Sequence, residues 1–111
     1  MVQLTKTKVY FDESGGIDIE FRGARRLLAL RRHILLEADQ VEKVELVSNL
    51  EKPKFYKKVA GSNAWYYGGW FRENGENEFW DVRDNRQVLV ITTNNFKYKR
   101  LYIEVAEDFV L

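Results

Sequence analysis

Histidine and serine are few in this sequence and cysteine is absent, and the residues present match no catalytic arrangement. The one histidine, His33, stands between Arg32 and Ile34, and the neighbouring positive charge disfavours its protonated form, which makes it a poor general base. Each of the three serines lies outside a Gly-x-Ser-x-Gly nucleophile elbow: Ser14, Ser48 and Ser62. Without a cysteine or a second histidine, the chain lacks the usual zinc ligands. We therefore predict that the protein is not an enzyme and needs neither a cofactor nor a metal ion.

A basic block is the main electrostatic feature of the sequence. Five arginines and no acidic residue lie between positions 22 and 36: Arg22, Arg25, Arg26, Arg31 and Arg32. Because a guanidinium group can hold a phosphate at two points, this cluster is a candidate site for an anionic lipid headgroup or another phosphate. In the other interpretation, the arginines pair with the acidic block that follows, either in the same chain or in a neighbouring subunit: Glu37, Asp39, Glu42 and Glu45.

The composition indicates one domain that spans residues 1–111. Hydrophobic residues make up 45% of the chain, which is enough for one core. The net charge is only +1, so no overall field attracts polyanions, and we do not expect nucleic acid as a partner. No apolar run approaches the ~20 residues that cross a bilayer, and the first residues lack the apolar core of a signal peptide. We therefore expect a cytoplasmic protein without a transmembrane segment.

The pair Asn74-Gly75, flanked by aromatic runs, predicts a β-hairpin, since both residues tolerate the positive φ of a type I′ turn. This turn places Trp70 opposite Phe79. One face of the hairpin then carries the better core candidates: Trp65, Tyr67, Phe71, Trp80 and Val82. Aromatic residues exposed on the other face, Tyr66 and Trp70, would mark a protein contact. In the alternative interpretation, both faces are partly buried in one curved sheet.

Further short strands are predicted before and after this hairpin. Residues 17–21 alternate between apolar and acidic side chains, which is typical of a half-buried strand. Residues 23–36 fit a helical turn near positions 24–29 followed by a strand near positions 31–36. Other strand candidates occupy residues 8–11, 44–47, 88–93 and 97–105. Short strands at this spacing indicate a mainly β fold, either an antiparallel sandwich or a small barrel.

Several glycines and core residues of the chain resemble those of the bacterial pleckstrin-homology-like domains, most of which have no assigned function. The similar segments are Ile17–Phe21 with Gly23, Leu27–Arg32, Val41–Val44, Gly61-Ser62, Gly69–Phe71, Phe79-Trp80, and Tyr98 with Arg100-Leu101. The resemblance spans roughly residues 17–107 and implies a strongly bent antiparallel sandwich or open barrel of about seven strands. It implies no particular chemistry, because fold and function separate freely.

The chain departs from that family at both ends. The family fold normally closes one end of the barrel with a C-terminal helix, whereas Asp108–Leu111 leaves room for about one turn. The run Leu4–Phe11, within an additional N-terminal arm at residues 1–16, is expected either to cover that end or to pair with another subunit. Phosphoinositide-binding relatives carry a basic motif whose spacing Arg31-Arg32-His33 does not reproduce.

The leading functional hypothesis is a non-enzymatic module that self-associates or binds a protein partner. The alternative is a module that binds anionic lipid or phosphate through the five arginines.

Overall fold

The computed structural model describes residues 7–23, 25, 29, 32–51, 58–63, 66–83 and 86–111. Its strands form two sheets that pack as an open sandwich. The smaller sheet has the order β1-β2-β3, with β1 at Lys8–Phe11, β2 at Ile17–Glu20 and β3 at His33–Leu36. The mainly β fold predicted from the sequence is therefore confirmed.

The larger sheet has six strands in the order β4-β8-β9-β7-β6-β5. The strands are β4 at Val41–Val47, β5 at Lys58–Asn63, β6 at Tyr67–Glu73, β7 at Glu76–Val82, β8 at Val88–Thr93 and β9 at Arg100–Glu104. Neighbouring strands are antiparallel except β7 and β9, which run parallel. The described residues thus form nine strands with one parallel pair, where the family resemblance implied about seven antiparallel strands. The parallel pair arises because β9 turns back along β8 and places its other edge against β7.

The central hairpin has the register that Asn74-Gly75 predicts. Both turn residues adopt positive φ, at 50° and 78°, and Trp70 lies opposite Phe79. Both faces of the hairpin are buried, as the alternative interpretation held. Phe71 and Trp80 belong to a smaller cluster on the face that was predicted as core. Phe79, on the opposite face, belongs to the main core between the two sheets.

The main core depends on the alternation in β2. Ile17 and Ile19 point inward and are buried, whereas Asp18 and Glu20 point outward and are partly exposed. Phe109, after β9, also packs against this core, and its ring lies 6.2 Å from Phe11 of β1. The C-terminal residues 105–111 contain a turn and no helix. The N-terminal strand pairs with β2 of its own chain.

The smaller cluster contains a buried carboxylate, Glu78, held by three donors. Arg100 Nε lies 2.9 Å from this carboxylate, and the Tyr102 hydroxyl and the Trp80 indole N–H each lie 3.2 Å from it. The rings of Trp80 and Tyr102 stack with their centroids 4.1 Å apart. Burial and the adjacent Glu78 charge raise the pKa of Tyr102 from its ordinary value of 10.0 to about 12.

This raised pKa predicts a loss of stability in strong base. Between pH 10 and 12 the folded protein keeps the Tyr102 proton that the unfolded chain has released, so the free energy of unfolding falls as pH rises. Below pH 10 both states hold the proton and the contribution is complete. We expect Tyr102→Phe to reduce this decline in urea unfolding curves measured across that range. An unchanged decline would contradict the assignment to Tyr102.

Candidate functional site

A cluster of buried polar groups surrounds Arg25, the second arginine of the basic block. The Arg25 side chain is 1% exposed. Its Nη1 lies 2.8 Å from Asp81 Oδ1, and its Nη2 lies 2.8 Å from Glu104 Oε1. The hydroxyls of Tyr66 and Thr7 also donate hydrogen bonds to Asp81. Arg25 therefore links its own segment to both β7 and β9.

The local backbone agrees with the helical turn predicted for this segment. The Ala29 N–H donates to the Arg25 carbonyl over 2.9 Å, which is the spacing of an α-helical hydrogen bond. The Tyr66 ring stacks against the guanidinium, with Arg25 Cζ 5.1 Å from the ring centroid. The turn and the ring together aim the Arg25 side chain inward.

The carboxylates of this cluster favour the charged form of Arg25. Burial alone lowers the pKa of the Arg25 guanidinium, but the charges of Asp81 and Glu104 and the hydrogen bonds to them raise it above its ordinary value. Burial and the Asp81 carboxylate raise the pKa of the Tyr66 hydroxyl, so that it remains a donor. The Tyr66 hydroxyl and the Arg25 guanidinium are thus both bonded to carboxylates inside the protein. This geometry makes the cluster a structural element.

The structure separates the predicted binding residues. Arg22 is partly exposed and lies 3.3 Å from Glu20, Arg32 is exposed, and Arg25 is buried. Arg26 and Arg31 lie outside the described residues. Tyr66 is buried, and Trp70 is partly buried against the main core. Neither of these two aromatic side chains is thus fully exposed, and binding by these seven residues stays a prediction.

Sequence reasoning missed the buried carboxylates Glu78, Asp81 and Glu104, because it treated acidic residues on strands as solvated. One signal was available for Asp81, which lies between Trp80 and Val82 in an apolar stretch. A charge in such a position needs a partner. The sequence did not indicate that this partner is Arg25, 56 positions away.

The outer face of the three-stranded sheet exposes apolar side chains. Tyr10, Asp18 and Leu35 occupy one row across β1, β2 and β3. Tyr10 is 47% exposed and Leu35 is 61% exposed. The adjacent row contains only polar or charged residues: Lys8, Glu20 and His33. His33 contacts Asp18 across the strands. Leu35 is therefore the most exposed apolar side chain of this face.

Among the described strands, β3 pairs only with β2, which leaves its other edge facing outward. The Phe21 N–H donates to the Arg32 carbonyl, and the alternation of an antiparallel ladder then directs the backbone groups of Ile34 and Leu36 toward β2. The N–H and C=O groups of His33 and Leu35 consequently point away from β2. We call these four groups the β3 edge. In the described part of the chain, no backbone group hydrogen-bonds to them.

Two open hollows adjoin Leu35. The larger, of about 510 Å³, extends from Leu35 past Glu37 and Asp39 to Asp12. The smaller, of about 200 Å³, lies between β3 and the side chains of Phe96 and Lys97. Carboxylates therefore line the hollow at the end of β3, and Lys97 lines the hollow at its start.

Asp12, which lines the larger hollow, forms an Asx turn with Ser14. Asp12 Oδ1 accepts hydrogen bonds from the backbone N–H groups of Ser14 and Gly16, at 2.9 and 2.8 Å, and from the Ser14 hydroxyl at 2.6 Å. The bonds from the Ser14 hydroxyl and the Gly16 N–H hold the pKa of Asp12 below its ordinary value. Asp12 therefore contributes a fixed negative charge to this hollow at neutral pH.

Within the residues that the structure describes, no group of three or more His, Cys, Asp or Glu side chains is placed to hold a metal ion. The same residues contain no helix long and apolar enough to span a bilayer.

Comparisons with protein-family models, curated proteins and solved structures find no match to this chain. Inference about function therefore depends on the geometry of the chain itself.

Proposed function

We propose that this protein is a non-enzymatic interaction module that binds a protein strand along the β3 edge. The observation that carries the proposal is the combination of unpaired backbone groups and an exposed leucine on one short strand. An added strand satisfies the backbone groups through hydrogen bonds, and alternate side chains provide specificity. The pleckstrin-homology-like resemblance remains part of this proposal, since it implies a small domain and no particular chemistry.

The other sheet edges are less suited to this role. On β1, Phe11 lies against the ring of Phe109, which covers that end of the strand. On β4, the exposed side chains are the charged residues Glu42 and Lys43, and edge charges discourage strand pairing. On β5, the other edge of the larger sheet, the exposed Val59 lies beside the exposed and charged Lys58 near one end of the strand. On β3, the exposed side chain at the centre of the edge is apolar. Among the edges of the described strands, the β3 edge combines an exposed aliphatic side chain at its centre with adjoining hollows, which favours an additional strand.

Mutation of Leu35 tests this proposal. Leu35→Lys places a charge on the β3 edge, and we expect it to weaken association at least about tenfold, which corresponds to about 1.4 kcal/mol. The matched control is Val59→Lys, since Val59 is an exposed aliphatic residue on β5. Association is measured as molar mass by size-exclusion chromatography with light scattering, and as recovery of partners by the tagged protein from its own cells.

The result that supports the proposal is a complex formed by the wild type and by Val59→Lys but lost in Leu35→Lys. Equal behaviour of the two variants would contradict a role for the β3 edge. A wild type that is monomeric at every concentration and recovers no partner would overturn the interaction function itself.

A further inference from the structure

The β3 edge is complementary to itself. It offers two donors and two acceptors, the N–H and C=O groups of His33 and Leu35, within three residues. A two-fold axis that pairs two such edges satisfies all eight groups of the two copies, because each copy supplies the acceptors for the other's donors. An antiparallel arrangement is required, since a two-fold axis perpendicular to the strands reverses their direction.

Charge favours the same orientation. Arg32 and the nearby Lys97 lie at the start of β3, whereas Glu37 and Asp39 follow its end. Antiparallel pairing brings the basic end of each copy beside the acidic end of the other. Parallel pairing would place like charges together, which is unfavourable. This arrangement uses Arg32 of the basic block together with Glu37 and Asp39 of the acidic block.

The 3₁₀ turn Ala38–Gln40, which follows β3, selects the register. The Glu37 N–H donates to the Gln40 side chain and the Glu37 carbonyl accepts the Gln40 N–H, each over 2.9 Å. Glu37 is therefore already bonded and cannot extend the ladder. A register that sets Leu35 against Leu35 would pair His33 with Glu37 and lose those bonds. The register that sets His33 against Leu35 uses only the β3 edge.

We infer, on the basis of the proposed function, that the strand bound at the β3 edge is β3 of a second copy of this chain. The two strands run antiparallel about an axis at Ile34, with His33 of each copy opposite Leu35 of the other. The three-stranded sheets of two copies then form one continuous six-stranded sheet. The exposed Leu35 side chains lie diagonally across the axis, within reach of each other. The hollows beside β3 leave room for the incoming strand.

Disulfide trapping tests the partner and the register together. The chain has no cysteine of its own, so every disulfide between two copies must join the introduced cysteines. In the inferred register, His33 and Leu35 of different copies lie with their Cα atoms about 5.5 Å apart, within the range of a disulfide. Equal amounts of His33→Cys and Leu35→Cys proteins, carrying different tags, are mixed and mildly oxidised. Val59→Cys, mixed with each of them, measures cross-linking by random collision.

The expected result is a mixed dimer of the His33→Cys and Leu35→Cys proteins, at least about tenfold above the Val59→Cys level and above either homodimer. High salt is expected to reduce it, since charges at the two ends of β3 steer the pairing. A dominant Leu35→Cys homodimer would overturn the register. Cross-linking at the collision level in every mixture would overturn self-pairing. The proposed function is judged separately, because the comparison of Leu35→Lys with Val59→Lys also reports binding to a different protein.

Discussion

Replacement of Arg25 by methionine is expected to lower the free energy of unfolding by about 3 to 5 kcal/mol. The substitution retains much of the side-chain volume but leaves Asp81 and Glu104 buried without their shared cation. A buried carboxylate that has lost its cation is costly because the remaining neutral donors do not replace both the lost hydration and the lost opposite charge. The free energy of unfolding of a small domain is about 5 to 15 kcal/mol, so this loss is a large fraction of the stability.

The measurement is urea unfolding of Arg25→Met beside the matched control Arg22→Met. Arg22 pairs with Glu20 on the surface, and removal of an exposed pair of this kind is expected to cost less than about 1 kcal/mol. The triple variant Arg25→Met, Asp81→Asn, Glu104→Gln is expected to regain part of the lost stability, since no buried charge is then left alone. Equal effects of Arg25→Met and Arg22→Met would contradict a buried ion-pair cluster.

Replacement of Gly61 by alanine is expected to cost about 3 kcal/mol or more, from strain of about 1 to 3 kcal/mol and from overpacking of about 1 to 3 kcal/mol. Gly61 has φ of +118°, and a Cβ atom there would lie 1.9 Å from the carbonyl oxygen of Gly68 on β6. Because the obstacle is backbone, it cannot be relieved by a side-chain rotation. The pairing of β5 with β6 must open.

Gly75 provides the control for this prediction. It also has positive φ, at +78°, but no atom lies within 4 Å of the position that a Cβ atom would occupy there. Gly75→Ala is therefore expected to show only the backbone strain, about 1 to 2 kcal/mol. Thermal and urea unfolding of the two variants separate the contributions. If Gly61→Ala is no less stable than Gly75→Ala, the close approach of β5 and β6 at Gly68 is contradicted.

The sequence was sufficient to predict those features that depend on neighbouring residues. Asn74-Gly75 determined the register of β6 with β7, because the turn type sets which residues face each other. The alternation in β2 determined which side chains point inward, because successive side chains of a strand lie on opposite faces. The mainly β class followed from such local patterns.

Long-range arrangements could not be predicted in this way. Arg25 and Arg22 belong to the same basic block in the sequence, yet one is buried with Asp81 and the other is on the surface. The difference depends on which strands lie opposite the segment, and local spacing carries no information about that. The parallel pairing of β7 with β9 was missed for the same reason.

The residues of the candidate site could be predicted from the sequence as a short strand with a leucine at position 35, preceded by arginines and followed by acidic residues. The position of this strand at a sheet edge, with the backbone groups of His33 and Leu35 directed outward, became apparent from the three-dimensional fold. Strand β3 is the last strand of the smaller sheet because the next strand in the sequence, β4, pairs with β8 in the larger sheet. That choice depends on contacts between residues far apart in the chain.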